Sequence, residues 1–263
     1  MEIGDSNERR EKVSQGLFRD HFSSVSAGYA AFRPVYPELL FAWLASVTPR
    51  RRLAWDCATG SGQAAVALAA HFERVVATDA SSSQILAART HPRIDYRVAL
   101  ADSSGLDDNS VDLVTVAQAL HWFDIQRFFE ESRRVLVPGG LLAVWSYGRL
   151  VLEGAEVDAL VQEFYHGVVG PFWPAERALV DSGYRDIVLP FQPLHAPLFS
   201  MTAFWSLSEL LGYIRTWSAT ARYIEANGID PVEQLGEQLS ASWGRGERFR
   251  KVSWPLVVRA GHT

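Results

Sequence analysis

Cysteine, lysine and long apolar runs are all scarce in this chain of 263 residues. The single cysteine, Cys57, excludes an internal disulfide framework and a metal site built from several cysteines. No stretch approaches the ~18 apolar residues of a transmembrane helix. The polar residues 1–16 contain no apolar run of a signal peptide, so we expect a cytoplasmic protein with no membrane partner. Two of the 25 basic residues, Lys12 and Lys251, are lysines, and we interpret the arginine excess as a composition bias.

The remaining composition is that of an ordinary globular protein. Hydrophobic residues make up 48% of the chain and charged residues 21%, and the net charge is −5. This acidic balance argues against a nucleic-acid partner, which would require a broad basic face. The seven histidines show no H-E-x-x-H spacing, so we expect no metal site. The length fits one large domain, and we expect a monomer or a simple homodimer.

From residue 53 onward, short apolar runs alternate with helical patterns. Apolar runs without polar alternation are typical of strands that are covered on both faces. Strands of four to seven residues that alternate with short helices predict βαβ units and a doubly wound, mostly parallel sheet. The predicted strands are 53–55, 75–78, 94–100, 111–116 and 141–145, and the predicted helices are 63–72, 82–89 and 125–136.

The regular alternation ends after residue 147. Pro138, Gly139 and Gly140 predict a stop between the last helix and the last strand of this first part. Farther along, alternating apolar residues predict a final strand at 249–259. Between them we expect helices at 155–165, 203–219 and 232–243 and a strand near 187–191, and near the start of the chain a short helix at 18–29.

A glycine-rich loop and an acidic residue carry the strongest chemical signal. Gly60 and Gly62 lie between the first strand and the first helix of the alternating region, where glycine permits a tight turn and close approach of a ligand. The helix that follows offers free N–H groups and a positive dipole end. Asp79 ends the next strand, where a carboxylate can accept both hydroxyls of a ribose. The pair predicts a nucleoside site at the carboxyl edge of the sheet.

Two cofactor classes fit this site. Residues 60–65 match G-x-G-x-x-A, the dinucleotide fingerprint, which leaves an NAD-linked oxidoreductase as one alternative. That fingerprint places its first glycine directly at the strand end, whereas here Asp56 occupies the strand end. A carboxylate beside the loop is unfavourable near a diphosphate and favourable near a sulfonium. Electrostatics therefore favours S-adenosylmethionine.

The same residues resemble a known family. The run 54–65, AWDCATGSGQAA, is similar to motif I of class I S-adenosylmethionine-dependent methyltransferases, and 111–114 with 117–123, VDLV and AQALHWF, resemble their fourth-strand motif. The residues of both segments resemble those of the trans-aconitate methyltransferase-like small-molecule subfamily, which has a type 11 methyltransferase domain. The resemblance covers about residues 25–150. It implies a seven-stranded Rossmann-like sheet whose last strand is antiparallel.

The resemblance implies a cofactor site, residue by residue. Asp56, Ala58, Gly60 and Gly62 would hold the methionine end, and Asp79 the ribose. The remaining implied contacts are Ala80 and Gln84 at the adenine ring, Asp102 at its amino group, and Ala117 and Gln118 at the reacting end. Ala58 departs from the family, which usually has glycine there, and its methyl group would narrow the space for the cofactor.

Candidate catalytic and acceptor-binding residues follow the fourth strand and the later part of the chain. His121 could take a proton from an attacking hydroxyl or amine, and Trp122 could face the sulfonium as a cation–π partner. Alternatively, both are packed residues at a strand end. For the acceptor itself we expect contributions from Tyr29, Arg33, Trp122, Arg149, Trp173 and Trp217.

The expected activity is methyl transfer from S-adenosylmethionine to an oxygen or nitrogen of a small molecule, which includes a carboxylate. Besides the NAD-linked enzyme, a protein that binds the cofactor without transferring a methyl group is an open alternative. The resemblance divides the chain into an N-terminal arm and cofactor lid (1–36), a cofactor-binding core (37–150), a helical and aromatic acceptor-binding insert (151–246) and a return strand (247–263).

Overall fold

The computed structural model describes residues 34–244 and 248–263. The helix expected at 18–29, together with Tyr29 and Arg33, lies outside the described residues. Within them, no helix combines the length and the apolar character needed to cross a membrane.

The first half of the described chain alternates strands and helices as predicted. Helix α1 precedes the first strand, and β1 to β5 then follow with three short helices between them. The bounds are α1 Glu38–Val47, β1 Leu53–Cys57, α2 Gln63–Leu68, β2 Arg74–Asp79, α3 Ser82–Leu86, β3 Ile94–Val98, β4 Val111–Ala117, a 3₁₀ turn at Leu120–Trp122, α4 Ile125–Val135 and β5 Leu136–Tyr147.

The second half adds helices and returns to the sheet. Its long final strand, β9, confirms the strand predicted at 249–259. The bounds are β6 Val151–Leu152, α5 Ala155–Glu163, a π turn Phe164–Val168, a 3₁₀ turn Gly170–Phe172, α6 Arg177–Asp181, β7 Gln192–Leu194, β8 Phe199–Trp205, α7 Leu207–Arg215, α8 Ser218–Asn227, α9 Pro231–Trp243 and β9 Arg250–His262.

The strands form one mostly parallel sheet in the order β3-β2-β1-β4-β5-β9. Strands β1 to β5 pair in parallel, whereas β9 runs antiparallel to β5. Strand β6 extends the β5 edge of β9, and β7 and β8 pair along the opposite edge. The nine strands therefore occupy seven positions, which agrees with the expected seven-stranded Rossmann-like sheet. Reversal of the sequence order beside β1 opens a crevice at the carboxyl ends of β1, β2 and β4.

Both faces of the sheet are buried. One face packs against α1 and α2 through residues such as Leu40, Leu44 and Leu68, and this core continues into the helices of the second half. The other face packs Trp55, Phe128 and Tyr184 against α4 and α6. This double cover explains why β1, β2 and β4 consist of almost uninterrupted apolar residues.

Three predictions about the second half and its boundary were wrong. The strand expected near 187–191 lies instead at β7 and β8. The helix expected over 203–219 begins only at Leu207, because Ser206 and Glu209 form a capping box directly after β8. The three residues 138–140 do not separate α4 from β5, since β5 begins at Leu136 and absorbs them at a register shift beside β4.

Candidate cofactor and acceptor site

The glycine-rich loop turns from β1 into α2 through left-handed backbone. Gly60 and Gly62 have φ values of 57° and 85°, which glycine adopts without steric cost. Ala58 also has a positive φ, 54°, although alanine rarely adopts it. Ala58 therefore strains the backbone where the family usually has glycine, besides adding a methyl group to the site.

Asp79 at the end of β2 is bound directly to this loop. Its Oδ2 accepts a hydrogen bond of 2.9 Å from the backbone N–H of Gly60. Its Oδ1 accepts one of 2.9 Å from the N–H of Ser81. These two bonds use two of the about four lone-pair positions of the carboxylate, and a carboxylate at this strand end can accept ribose hydroxyls. The structure brings Gly60 and Asp79 together as the spacing predicted.

Asp56 lies beneath the loop and is completely buried. Its Oδ2 accepts from the hydroxyl of Thr59 at 2.5 Å and its Oδ1 from the hydroxyl of Thr115 on β4 at 2.8 Å. Burial raises the pKa of Asp56 to about 6 despite these hydrogen bonds. Asp56 therefore fixes the loop to the sheet. The loop backbone that Asp56 holds, not its own carboxylate, would contact the methionine end of a ligand.

Tyr96 on β3 closes one side of the loop. A Cβ atom added at Gly62 would overlap the Tyr96 hydroxyl oxygen, and the φ of 85° is strained for any other residue, so this position strongly favours glycine. The hydroxyl is buried and has no hydrogen-bond partner among the described residues. Burial, followed by the charge of Asp56, raises the pKa of Tyr96, so the phenol is neutral at neutral pH.

Asp102 follows β3 on the same edge of the sheet. Its carboxylate is partly exposed and lies 3.7 Å from Nη1 of Arg127. The loop that follows Asp102 is held by α4, because buried Glu131 of that helix accepts hydrogen bonds from both the N–H and the hydroxyl of Ser104. Asp102 is therefore held at the rim with acceptor oxygens available to an amino group.

The other predicted cofactor contacts surround the same crevice. Gln84 lies over the loop, with its Oε1 3.8 Å from where a Gly60 Cβ would be. Ala80 and Ala117 are half-buried at the ends of β2 and β4. Gln118 has a left-handed φ of 58°, and its side-chain amide bonds both the carbonyl and the N–H of Tyr147. Its side chain thus joins the ends of β4 and β5, which leaves its backbone to line the crevice.

His121 and Trp122 lie in the 3₁₀ turn after β4. Nδ1 of His121 is 2.9 Å from the hydroxyl oxygen of buried Tyr184, and the His121 ring lies 4.7 Å from the Trp122 ring. Burial, together with the charge of Arg177, lowers the pKa of His121 to about 4. The imidazole is therefore neutral and weakly basic. Its hydrogen bond to Tyr184 favours a role in orienting the 3₁₀ turn. Trp122 is 37% exposed at the crevice.

An aromatic cluster, defined as Tyr165, Trp173 and Trp217, lies in the second half of the chain. The ring centres of Tyr165 lie 4.9 Å from Trp173 and 5.4 Å from Trp217. The guanidinium of Arg177 stacks on Trp173, with its central carbon 4.8 Å from the ring centre. Helix α6, which carries Arg177, packs against the 3₁₀ turn of His121 and Trp122. The cluster is thus adjacent to the carboxyl end of β4.

Arg149 does not join this cluster. It is exposed, and its Nη1 lies 2.8 Å from Nε2 of His166. Among the residues that the structure describes, no group of three or more potential ligands could hold a metal ion. The Cys57 thiol is buried, and burial raises its pKa, so it is no nucleophile.

Sequence reasoning missed four residues that shape the site: Tyr96, Thr115, Arg177 and Tyr184. Thr115 had a detectable signal, since it is a polar residue among the apolar residues 113–117 of β4. Arg177 and Asp181 had the i, i+4 spacing of a helical ion pair, although that spacing is common on surfaces. Tyr96 and Tyr184 carried no local signal, because their partners are distant in the sequence.

Comparison with known proteins identifies the family. Residues 55–144 match the family described as "Methyltransferase domain". A protein of Dictyostelium discoideum that carries a methyltransferase name is 36% identical over 225 residues, which cover 84% of this chain and 86% of that protein. The chain belongs to the class I S-adenosylmethionine-dependent methyltransferases.

A solved structure supports the same assignment. A protein from Anaeromyxobacter dehalogenans, described as a type II methyltransferase, superposes with a TM-score of 0.84 and 46% sequence identity, covering 88% of this chain and 97% of that one. An uncharacterised methyltransferase of Mycobacterium tuberculosis is 39% identical over 127 residues, which cover 48% of this chain and 51% of that protein. This methyltransferase is therefore an enzyme whose cofactor is S-adenosylmethionine.

The geometry of the crevice fits that cofactor. The left-handed glycines keep side chains out of the loop, as close approach of a ligand requires. Asp79 and Asp102 offer acceptor oxygens to hydroxyl and amino groups on neighbouring strand ends. The residues that would hold the adenosine part are therefore present at one edge of the sheet.

Proposed function

We propose that this methyltransferase acts on an oxygen or nitrogen of a small molecule. The observation that carries the proposal is that the aromatic cluster contacts Arg177 of α6, the helix that packs against the 3₁₀ turn at the carboxyl end of β4. Aromatic side chains with a few polar groups are typical of small-molecule pockets. The net charge of −5 argues against a nucleic-acid acceptor, which would require a broad basic face.

The proposal divides the work between two parts of the chain. Residues 37–150, completed by the return strand within 247–263, would hold the cofactor through Gly60, Asp79 and Asp102. Residues 151–246 would bind the acceptor through Trp173 and Trp217, with Trp122 at the boundary. This region also contributes β6, β7 and β8 to the sheet, so the two parts share one core.

The N-terminal segment 1–36 would cover the cofactor. Its described end is anchored beside the glycine loop, because the carbonyl of Pro34 accepts a hydrogen bond of 2.9 Å from Nε2 of Gln63. Tyr36 is buried and packs edge-on against Trp145, with ring centres 5.6 Å apart. The chain therefore enters the described part of the structure next to the crevice, as a lid requires.

In this proposal the residues position groups and exclude water. When bound, S-adenosylmethionine supplies an electrophilic methyl group. Asp56, with Thr59 and Thr115, keeps the loop rigid, and Asp79 orients the ribose. His121 is neutral and hydrogen-bonded to Tyr184, so it orients the 3₁₀ turn. Orientation of two reactants in a closed site supplies much of the rate in such displacements.

The proposal is tested by the destination of a labelled methyl group. The protein is incubated with methyl-labelled S-adenosylmethionine and panels of small phenols, amines and carboxylic acids, and in parallel with RNA, DNA and protein extracts. We expect label in a small molecule, and much less label at low cofactor concentration with an Asp79→Ala control. Robust labelling of RNA, DNA or protein, with no labelled small molecule, would refute the proposed acceptor class.

A further inference from the structure

Arg177 is held rigidly in the acceptor-binding region by three neighbours. Its Nε donates to the Tyr165 hydroxyl at 2.9 Å and to Oδ1 of Asp181 at 3.1 Å. Its guanidinium stacks on Trp173 and lies 5.7 Å from the centre of the Tyr165 ring. Such stacking fixes the plane of the guanidinium before any ligand binds.

The outer edge of this guanidinium, its Nη1 and Nη2 atoms, makes no hydrogen bond within residues 34–244 and 248–263. The Arg177 side chain as a whole is 19% exposed, so the guanidinium is largely shielded from solvent. Two parallel N–H groups on a planar fork match the two oxygens of a carboxylate. The site therefore has the geometry of a preformed anion receptor.

The position of Arg177 connects this receptor to the reacting end. Helix α6 packs against the 3₁₀ turn of His121 and Trp122 after β4. Arg149, by contrast, is exposed and contacts Gln162 and His166. Arg215 forms an ion pair of 2.7 Å with Asp230. Neither of these arginines is stacked in the aromatic cluster.

We infer that Arg177 recognises a carboxylate on the methyl acceptor, and that this carboxylate orients the acceptor while another oxygen or nitrogen is methylated. A carboxylate paired with a guanidinium has two of its about four lone-pair positions and much of its charge engaged, which lowers its nucleophilicity relative to a free carboxylate. The partly exposed ring of Trp173 beside the fork favours an aromatic body for the acceptor. This inference rests on the proposed function, because it names the class of acceptor for the same site.

The test compares an acid with its neutral amide. 4-Hydroxybenzoate and 4-hydroxybenzamide have the same ring and the same hydroxyl group, and differ in the anionic group alone. Their affinities are measured by calorimetry on protein saturated with S-adenosylhomocysteine. We expect the acid to bind at least tenfold more tightly than the amide to the wild-type protein.

Three variants test whether Arg177 causes the preference for the acid over the amide. Arg177→Gln should remove it, Arg177→Lys should keep part of it because the charge remains without the planar fork, and Arg215→Gln should leave it unchanged. Affinity for S-adenosylhomocysteine and the melting temperature report whether each variant is folded. Should Arg177→Gln fail to fold, the Arg177→Lys variant alone decides, through a partial loss of the acid preference.

The results that would overturn this inference differ from those that would refute the proposed function. Equal affinity for acid and amide, binding of neither, or an acid preference that survives in both Arg177 variants would overturn the inference. The labelled-methyl experiment decides the proposed function separately. Methylation of small amides and acids at equal rates would keep the proposed function and refute the role of Arg177.

Discussion

Oδ2 of Asp79 accepts a hydrogen bond of 2.9 Å from the backbone N–H of Gly60, nineteen residues earlier in the chain. This bond joins the end of β2 to the loop that follows β1. It places a carboxylate and a stretch of side-chain-free backbone within one crevice, so that a nucleoside can contact both. The proposed cofactor site depends on this hydrogen bond between Asp79 and Gly60.

Ala58 is predicted to cost stability through its backbone. Its φ of 54° is left-handed, where alanine is disfavoured by ~1–2 kcal/mol. Ala58→Gly should therefore raise the free energy of unfolding by up to ~1 kcal/mol, after allowance for the greater chain entropy of glycine. Urea denaturation measures the change. Ala67→Gly within α2 is the matched control and should lower stability by ~1 kcal/mol. A loss in both variants would contradict the account.

Gly62→Ala is expected to damage the loop severely. The new Cβ would overlap the Tyr96 hydroxyl, and the alanine would have to adopt the left-handed φ of 85°. We expect a loss of at least ~2 kcal/mol in unfolding free energy, measured by denaturation, and much weaker binding of S-adenosylhomocysteine. A Gly62→Ala variant with wild-type stability and affinity would show that the loop adopts another conformation.

Tyr96→Phe removes the hydroxyl group and keeps the ring, so it separates the contribution of the hydroxyl from that of the ring. Because the hydroxyl is buried without a partner among the described residues, its removal should leave the ligand-free protein equally stable or up to ~1 kcal/mol more stable. Thermal unfolding without ligand measures this. A loss of more than ~1 kcal/mol would mean that the hydroxyl has a partner in the folded protein.

The sequence predicts the cofactor half of the molecule well, because its signals are local. A strand, a glycine loop and a helix follow one another within residues 53–68, and Asp79 ends the next strand. The acceptor half is less predictable. Strand β8 and helix α7 were merged into one predicted helix, since Ala203 to Trp205 continue an apolar pattern up to the cap at Ser206.

The role of single side chains was the least predictable part. Arg177 resembles an ordinary helical partner of Asp181, and only the packed structure brings Trp173 and Tyr165 against it. His121 carried a catalytic signal by its place after β4. Its bond to Tyr184, 63 residues later, could not be inferred from spacing. Contacts between distant segments thus set the chemistry that local patterns leave open.

Asp56 should make stability depend on pH. Its pKa in the folded protein is about 6, above the ordinary 3.8, because burial disfavours the carboxylate. The folded state therefore favours protonated Asp56, a contribution that is complete below about pH 4 and is lost as the pH rises to about 6. Asp56→Asn stays uncharged throughout. The unfolding free energy of the variant relative to wild type should rise by roughly 3 kcal/mol from pH 4 to pH 7. A difference that is constant with pH would contradict this.

His121 is expected to contribute little proton transfer. Its pKa of about 4, lowered mainly by burial, makes it a weak base at neutral pH. His121→Gln should reduce kcat less than tenfold and leave the shape of its pH profile between 6 and 9 unchanged, measured on any acceptor that the labelled-methyl screen identifies. His195→Gln, exposed between β7 and β8, controls for loss of a histidine. A loss of a hundredfold or more, with a changed profile, would restore His121 as a general base.

Calorimetric titration with S-adenosylhomocysteine tests the cofactor site most directly. The wild-type protein should bind it, and NADH should not bind. Asp79→Ala should weaken the affinity about ten- to a hundredfold, which corresponds to roughly 1.5–3 kcal/mol for lost charge-assisted hydrogen bonds. Wild-type affinity in Asp79→Ala, or binding of NADH in place of S-adenosylhomocysteine, would contradict the site described.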